Sequence, residues 1–208
     1  YLYRRAKREL HIPREGLLNI IQYLVNKKII IDGSKFTKDT ILNNEIRSLI
    51  YSFVRDNIGL HFSGIKRNLM KNVKRDQMGT GQLIWHLEML LKFNLIKSFM
   101  VGNHTIFIPV EFDENIAKIY YLARNSIRNK ILRYLISKKL STRPEICKAI
   151  KESRENVYYH IKVLTENDYI INKNKEICLN SKFTIHIVKA IQSLSPEKEL
   201  NYNKIEGK

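Results

Sequence analysis

The sequence has few of the residues that build a metal centre, a disulfide framework or a phosphate-binding loop. Its two cysteines, Cys147 and Cys178, form no metal-ligand spacing, and only eight glycines are spread over 208 residues. The sequence has no nucleophile elbow, no glycine-rich phosphate loop, no paired-carboxylate arrangement and no zinc signature. We therefore expect no enzymatic activity, no catalytic residue, no metal and no cofactor.

Acidic residues and long apolar runs are also scarce. Twenty Asp and Glu stand against 37 Lys and Arg, which gives a net charge of +17 and a pI near 9.8. Such an excess attracts nucleic acid first and anionic membrane second, although a lysine-rich genome is an alternative explanation. Without a membrane-length apolar run or a secretory signal, we expect a cytoplasmic protein without a membrane span. Because the chain begins at Tyr1 and not at Met, we also expect that it was cut from a longer protein.

An internal repeat organises most of the chain. Residues 83–96 (LIWHLEMLLKFNLI) match residues 157–170 (VYYHIKVLTENDYI), with His160 equivalent to His86 (160 − 86 = 74). Upstream, Arg47 matches Arg128 at a larger offset (128 − 47 = 81), so the first copy carries a seven-residue insertion (81 − 74 = 7) around residues 71–79. A repeat of this kind indicates two copies of one small domain.

Hydrophobic spacing predicts the same elements in both copies. In the first copy, Asn44 precedes an i, i+3, i+4, i+7 apolar stripe that is typical of an amphipathic helix, and Thr80 is the expected cap of a third helix over 81–93. Strands are expected at 60–61, 96–101 and 105–109, with a second helix at 63–69. The order helix, strand, helix, helix, strand, strand is that of a winged helix.

The second copy has the same signals. Thr142 and Glu145 form a capping box, Ser153 is the expected cap of the third helix, and residues 173–175 form the tip of a short wing. We therefore expect a mainly α fold with small β wings, built from tandem winged-helix (helix-turn-helix) domains. The expected ranges are a partial or degenerate winged helix at 1–36, winged helix 1 at 37–112, winged helix 2 with connecting and C-terminal helices at 113–194, and a polar tail at 195–208.

Winged helices bind duplex DNA by placing the third helix in the major groove and the wing on the backbone. In the second copy the expected contacts have donors, acceptors and positive charge suited to base edges and phosphates. They are Arg154, Asn156, Tyr158, Tyr159, Lys162, Lys173 and Lys175. In the first copy we expect DNA contacts from Gln82 and from the basic loop, at Lys71, Lys74 and Arg75.

Other residues favour structural or protein-binding roles. Trp85 is expected either to anchor a protein contact, together with wing 1, or to fill the domain seam. An apolar patch around Trp85, Phe99 and Phe107 in the folded chain would favour a protein scaffold. His86 is expected on the outer face of its helix. Both His86 and His160 are interpreted as hydrogen-bonded structural histidines, because no further ligand stands at metal spacing. Cys147 is expected to pack in a core.

The chain resembles archaeal predicted transcription regulators built from tandem winged helices, which are related in fold to the MarR and ArsR families. The resemblance rests on residues 47–59 (RSLIYSFVRDNIG), His61-Phe62, residues 80–87 (TGQLIWHL) and residues 157–161 (VYYHI), and it spans roughly residues 34–180. It implies a DNA-binding transcription regulator. The insertion at residues 71–79 departs from the family's tight turn.

An alternative reading stays open at this point. Tandem winged helices also form protein-interaction scaffolds, as in ESCRT-type complexes and subunits of the transcription machinery. A homodimer is a further expectation, with residues 183–194 and the connecting helix as candidate surfaces. The distribution of positive charge and apolar surface in the folded chain separates these readings.

Overall fold

Each repeated segment begins with a helix that an asparagine caps. The side-chain oxygen of Asn44 accepts a hydrogen bond from the backbone N–H of Arg47 at 3.0 Å. In the second segment, Asn125 accepts from the N–H groups of Ile127 and Arg128, both at 3.1 Å. These oxygens satisfy backbone donors that the first helical turn leaves without intrahelical partners. The two asparagines stand at the offset that relates Arg47 to Arg128 (125 − 44 = 81), so the cap belongs to the repeat.

The computed structural model describes residues 2–31, 36–72 and 79–194, without the side chains of residues 70–72. Residue contacts divide the chain into an N-terminal unit, Tyr1–Glu111, and a C-terminal unit, Phe112–Lys208. The elements are α1 (Leu2–Leu10), α2 (Arg14–Asn26), α3 (Glu45–Asp56), β1 (Leu60–His61), α4 (Phe62–Asn72), α5 (Thr80–Lys92), β2 (Ile96–Val101), β3 (His104–Pro109), α6 (Glu114–Ala123), α7 (Ser126–Lys138), β4 (Leu140–Thr142), α8 (Arg143–Ile150), α9 (Arg154–Glu166), β5 (Ile170–Lys173), β6 (Glu176–Leu179) and α10 (Thr184–Ser193).

A small antiparallel sheet lies in each unit. In the N-terminal unit the strand order is β1-β3-β2, with Leu60 opposite Phe107 and Ser98 on the other side of Phe107. In the C-terminal unit the order is β4-β6-β5. The last strand of the N-terminal sheet and the last strand of the C-terminal sheet are therefore central. The order of helices and strands in both segments agrees with the order predicted from hydrophobic spacing.

Each unit has an apolar core of its own. The N-terminal core joins the first, second and third helices of its segment to the sheet through Ile50, Val54, Leu60, Ile65, Leu69, Leu83, Leu87, Leu90, Ile96 and Phe107. The C-terminal core repeats this arrangement through Ile131, Leu135, Ile146, Ile150, Val157, Ile161, Leu164, Ile170 and Ile177. Cys147 is buried in that core, which confirms the prediction that it packs there.

One sequence prediction in the N-terminal unit is wrong in detail. Thr80 is the first residue of α5 and Gly79 is its cap, because the backbone N–H of Gly79 donates to Oε1 of Gln82 at 3.0 Å. Phe107 does not join an exposed patch with Trp85 and Phe99. It lies on the central strand and is buried against the helices, whereas Phe99 is half-buried.

Candidate nucleic-acid interface

Helices α8 and α9 form a helix-turn-helix in the C-terminal unit. Helix α8 begins with the predicted capping box, in which the N–H of Thr142 donates to Oε2 of Glu145 at 2.8 Å. It ends at Ile150, and the left-handed backbone of the C-cap residue Lys151 (φ 57°) turns the chain. Ser153 then caps α9 by accepting from the N–H of Asn156 at 3.3 Å. The turn between the helices therefore contains the cap of each helix, Lys151 and Ser153.

The outer face of α9 carries most of the residues predicted to contact DNA. Val157, Ile161 and Leu164 are buried, so helical periodicity turns the intervening side chains outward. The outward residues are Arg154, Glu155, Tyr158, Tyr159, Lys162 and Glu166, while Asn156 is half-buried. Tyr159 is 62% exposed, so its ring and hydroxyl are accessible to a partner.

Two contacts on this face were not predicted from the sequence. The guanidinium of Arg143, at the start of α8, lies 5.8 Å from the ring centre of Tyr158. The Nζ of Lys162 lies 3.7 Å from Oε1 of Glu166, one turn further along α9. Both cations belong to the surface that surrounds the tyrosines. The spacing of Lys162 and Glu166 (i, i+4) is visible in the sequence, whereas the approach of Arg143 needs the angle between α8 and α9.

The wing of the C-terminal unit carries two further predicted contacts. Strands β5 and β6 meet at a turn in which Asn174 (φ 48°) and Lys175 (φ 73°) adopt left-handed backbone conformations. Lys173 ends β5, and both lysines are exposed. Their ammonium groups can therefore approach a polyanion at the turn of the hairpin.

A second arrangement, an arginine, a histidine and an exposed aromatic residue, occurs in both units. In the N-terminal unit, the buried Arg47 of α3 lies with its guanidinium 5.1 Å from the ring centre of Trp85, and the next residue is the buried His86. Arg47 also donates to the carbonyl of Ile41 at 2.7 Å. The rings of Trp85 and His86 meet edge to face at 4.9 Å.

The C-terminal unit places Arg128, His160 and Tyr159 at the equivalent positions. The rings of Tyr159 and His160 meet at 5.1 Å and 67°, close to the 66° between Trp85 and His86. The exposed aromatic residue of each third helix therefore lies beside a buried or half-buried histidine and arginine. We expect the histidine and the arginine to fix the direction in which the aromatic ring faces solvent.

Both histidines differ from their predicted environment. His86 is 5% exposed, so it does not lie on the outer face of α5, and His160 is 7% exposed. The prediction of a hydrogen-bonded histidine is wrong for the Nδ1 atoms, which have no hydrogen-bond partner among the described residues. Burial lowers the pKa of His86, and Arg47 lowers it further; burial and then Arg128 do the same for His160. Both rings are therefore neutral at neutral pH.

The outer face of α5 in the N-terminal unit differs from that of α9. At the offset of 74 residues, Thr80 is equivalent to Arg154 and Glu88 is equivalent to Lys162. The exposed residues at its centre are Ile84 and Trp85, which are 42% and 47% exposed. Gln82, a predicted DNA contact, uses its side-chain oxygen in the cap of α5.

The basic residues expected beside this face are not part of what the structure describes. Lys74 and Arg75 lie in the range 73–78, outside the described residues, and the side chain of Lys71 is likewise not described. Their contact with DNA stays a prediction.

The described part of the chain holds neither grouped metal ligands nor a helix that could span a membrane. Within residues 2–31, 36–72 and 79–194, no three His, Cys, Asp or Glu side chains are grouped as metal ligands. None of the helices in these ranges is both long enough and apolar enough to cross a membrane.

These features define a mainly helical protein with small antiparallel sheets, consistent with a helix-turn-helix regulator. The chain is similar to a protein of Methanocaldococcus jannaschii that is named an uncharacterized HTH-type transcriptional regulator, with 32% identity over 165 residues. The match covers 78% of this chain and 40% of the relative, so the chain spans about two fifths of the length of the relative that it matches. No protein-family model matches the sequence.

Proposed function

We propose that this chain is a DNA-binding transcription regulator built from tandem winged helices. The ranges are those expected from the sequence: a partial winged helix at 1–36, winged helices at 37–112 and 113–194, and a polar tail at 195–208. The similarity to a helix-turn-helix regulator and the net charge of +17 support this class. The chain acts by binding and needs no catalytic residue.

In this proposal α9 enters the major groove of duplex DNA. A helix with its side chains is about 10–12 Å wide and the groove is about 12 Å wide, so the outer face of α9 fits against base edges. Arg154 and Asn156 donate to or accept from bases, since arginine matches guanine and asparagine matches adenine. Tyr158 and Tyr159 contact phosphates or a thymine methyl group, and Lys162 contacts a phosphate.

The β5–β6 wing contacts the DNA backbone. Lys173 and Lys175 stand at its tip, where their charges release counterions from phosphates without reading sequence. Arg143 joins this set because its guanidinium lies over Tyr158 and faces the same surface. The N-terminal unit adds phosphate contacts through Lys71, Lys74, Arg75 and Gln82.

The observation that carries the proposal is the exposed face of α9. It combines two exposed tyrosines with Arg154 and Lys162, and a capped helix-turn-helix presents that combination. The same position in the N-terminal unit lacks both cations, so this face is a property of one copy and not of the repeated fold.

Selection from a randomised duplex DNA pool tests this function. The full chain should retain a recurring sequence, and its affinity should fall steeply between about 50 and 200 mM salt. A variant with Lys173 and Lys175 replaced by glutamine should bind more weakly, while the control Lys138→Gln/Lys189→Gln, which removes the same charge elsewhere, should change little. Retention without a recurring sequence would contradict base reading, and no retention at low salt would exclude DNA as the partner.

The second candidate function is a protein-interaction scaffold. Ile84 and Trp85 favour it, because they are exposed on α5 where α9 has Tyr158 and Tyr159 with flanking cations. A partner at Trp85 and the β2–β3 wing is compatible with DNA binding by the C-terminal unit. Loss of a partner after Trp85→Ala, with DNA affinity retained, would identify this role.

A further inference from the structure

A cavity of about 410 Å³ lies at the C-terminal end of α9 in the C-terminal unit. The N-terminal part of α6, the residues that follow α9 and the residues that precede α10 form its walls. Its charged lining consists of Lys118, Glu166, Asp168 and Lys182. Small-molecule sites commonly occupy roughly 300–1,000 Å³, and the charged lining favours a small polar ligand over an apolar one.

Two neutral polar side chains of the cavity, those of Asn180 and Tyr169, hold its walls together. Asn180 donates to the carbonyl of Asp168 at 2.7 Å, and its own side-chain oxygen accepts from the N–H of Lys182 at 3.1 Å. The hydroxyl of Tyr169 donates to the carbonyl of Asn115 at 2.9 Å. These bonds tie the three walls together, so the cavity has a defined shape.

The charged groups, in contrast, have capacity for a ligand. In the described part of the chain, no salt bridge engages Lys118, Asp168 or Lys182, and Glu166 is shared with Lys162 at 3.7 Å. The Nζ of Lys182 lies 5.4 Å from the ring centre of Phe183, a contact that leaves its N–H donors available. Two ammonium and two carboxylate groups match a ligand that carries both signs of charge. The C-terminus of α9 further favours positive charge at the end where Glu166 lies.

We infer that this cavity binds a small zwitterion of the free amino acid class. Lys118 and Lys182 hold its carboxylate, and Glu166 and Asp168 hold its ammonium group. The ring of Phe183, packed edge to face on Tyr169 at 5.2 Å, borders the cavity and offers an apolar surface to the ligand's side chain.

The site is connected to the proposed DNA-binding face through Glu166, and this part of the inference rests on the proposed function. Glu166 pairs with Lys162, which lies on the outer face of α9. A ligand ammonium that engages Glu166 releases Lys162 to contact a phosphate. The ligand should therefore tighten DNA binding, and DNA should tighten ligand binding by the same factor.

Ligand binding is tested without DNA, so that its outcome is independent of the proposed function. The full chain is screened by thermal unfolding and calorimetry with each of the twenty amino acids at about 10 mM. At least one should raise the melting temperature. The variant Lys118→Gln/Lys182→Gln should bind it at least tenfold more weakly, while the control Lys189→Gln should bind it normally.

Two results would overturn the assignment: no amino acid binds the unsubstituted chain, or the double variant binds as tightly as that chain. Circular dichroism establishes that the double variant is folded, and the single substitutions replace it if it is not. The coupling has its own test. Glu166→Gln should bind DNA about twofold more tightly without ligand and should no longer respond to it. Normal ligand binding without any DNA binding would refute the proposed function alone.

Discussion

Acid should weaken the fold through the two buried histidines. His86 and His160 are more than nine tenths buried, and burial together with a neighbouring arginine lowers the pKa of each below 6.5. In the unfolded chain both titrate near pH 6.5, so below that pH the unfolded state binds protons that the folded state does not. The stabilisation is present above about pH 6.5 and is lost as the pH falls toward the folded pKa.

The magnitude follows from proton linkage. Each histidine contributes a slope of at most about 1.4 kcal/mol in the free energy of unfolding per pH unit, reached where the unfolded ring is charged and the folded ring is neutral. The loss of stability is complete below the pKa that the histidine has in the folded protein, because there the buried ring also accepts a proton, beside an arginine. Glu145, whose pKa is lowered by hydrogen bonds from Thr142 and Ser141, acts in a lower range, below its ordinary value of 4.5.

Denaturant unfolding followed by circular dichroism between about pH 7.5 and 5.5 measures this effect. The variant His86→Leu/His160→Leu removes both rings and should lose most of the slope. At neutral pH it should change stability by less than about 1.5 kcal/mol per site, because Nδ1 has no partner to lose. The control His186→Gln should keep the slope. An unchanged slope in the leucine variant would refute the argument from burial.

Three further predictions concern the surface and the caps. Arg154→Ala should cost about 1–3 kcal/mol on the preferred DNA sequence, measured by fluorescence anisotropy, whereas Thr80→Ala at the equivalent position should cost little; equal losses would contradict base reading by α9. Replacing Lys173 and Lys175 with glutamine should lower the slope of log affinity against log salt by about 1.8, and a change seen for one sequence only would contradict backbone contact. Asn125→Ala should lower the free energy of unfolding of the C-terminal unit by about 1 kcal/mol, because two backbone donors lose their acceptor; Asn125→Asp, which retains the acceptor, should restore most of it.

The elements of the fold were predictable because short-range chemistry determines them. Asn44 and Ser153 cap helices by bonding residues three positions on, and the capping box of Thr142 and Glu145 has the same range. The cap of α5 is Gly79 and not the expected Thr80, because the hydrogen bond that closes the first turn is made by the side chain of Gln82, three residues later. The predicted start of this helix therefore differs from the observed start by one residue.

The candidate site was predictable in part. Periodicity identified the outer face of α9, since the buried positions Val157, Ile161 and Leu164 leave the intervening residues exposed. Periodicity could not reveal that Arg143 lies over Tyr158, or that Arg47 lies under Trp85, because those distances depend on the angles at which helices pack. The burial of Phe107 was missed for a similar reason: strand order, not alternation, makes its strand central.

Comparison of the two copies of the repeat distinguishes residues that the fold requires from residues that are specific to one copy. Features that both units retain are structural, namely the asparagine cap, the arginine of the first helix and the buried histidine of the third. Features in which they differ lie on the outer face, where Arg154 and Lys162 stand opposite Thr80 and Glu88. Both copies must keep the residues that pack the core. Charged residues at exposed positions do not affect packing, so they can differ between the copies according to what each copy binds. The third helix of the C-terminal unit exposes Arg154 and Lys162 beside two tyrosines, and the N-terminal unit has an exposed tryptophan there instead.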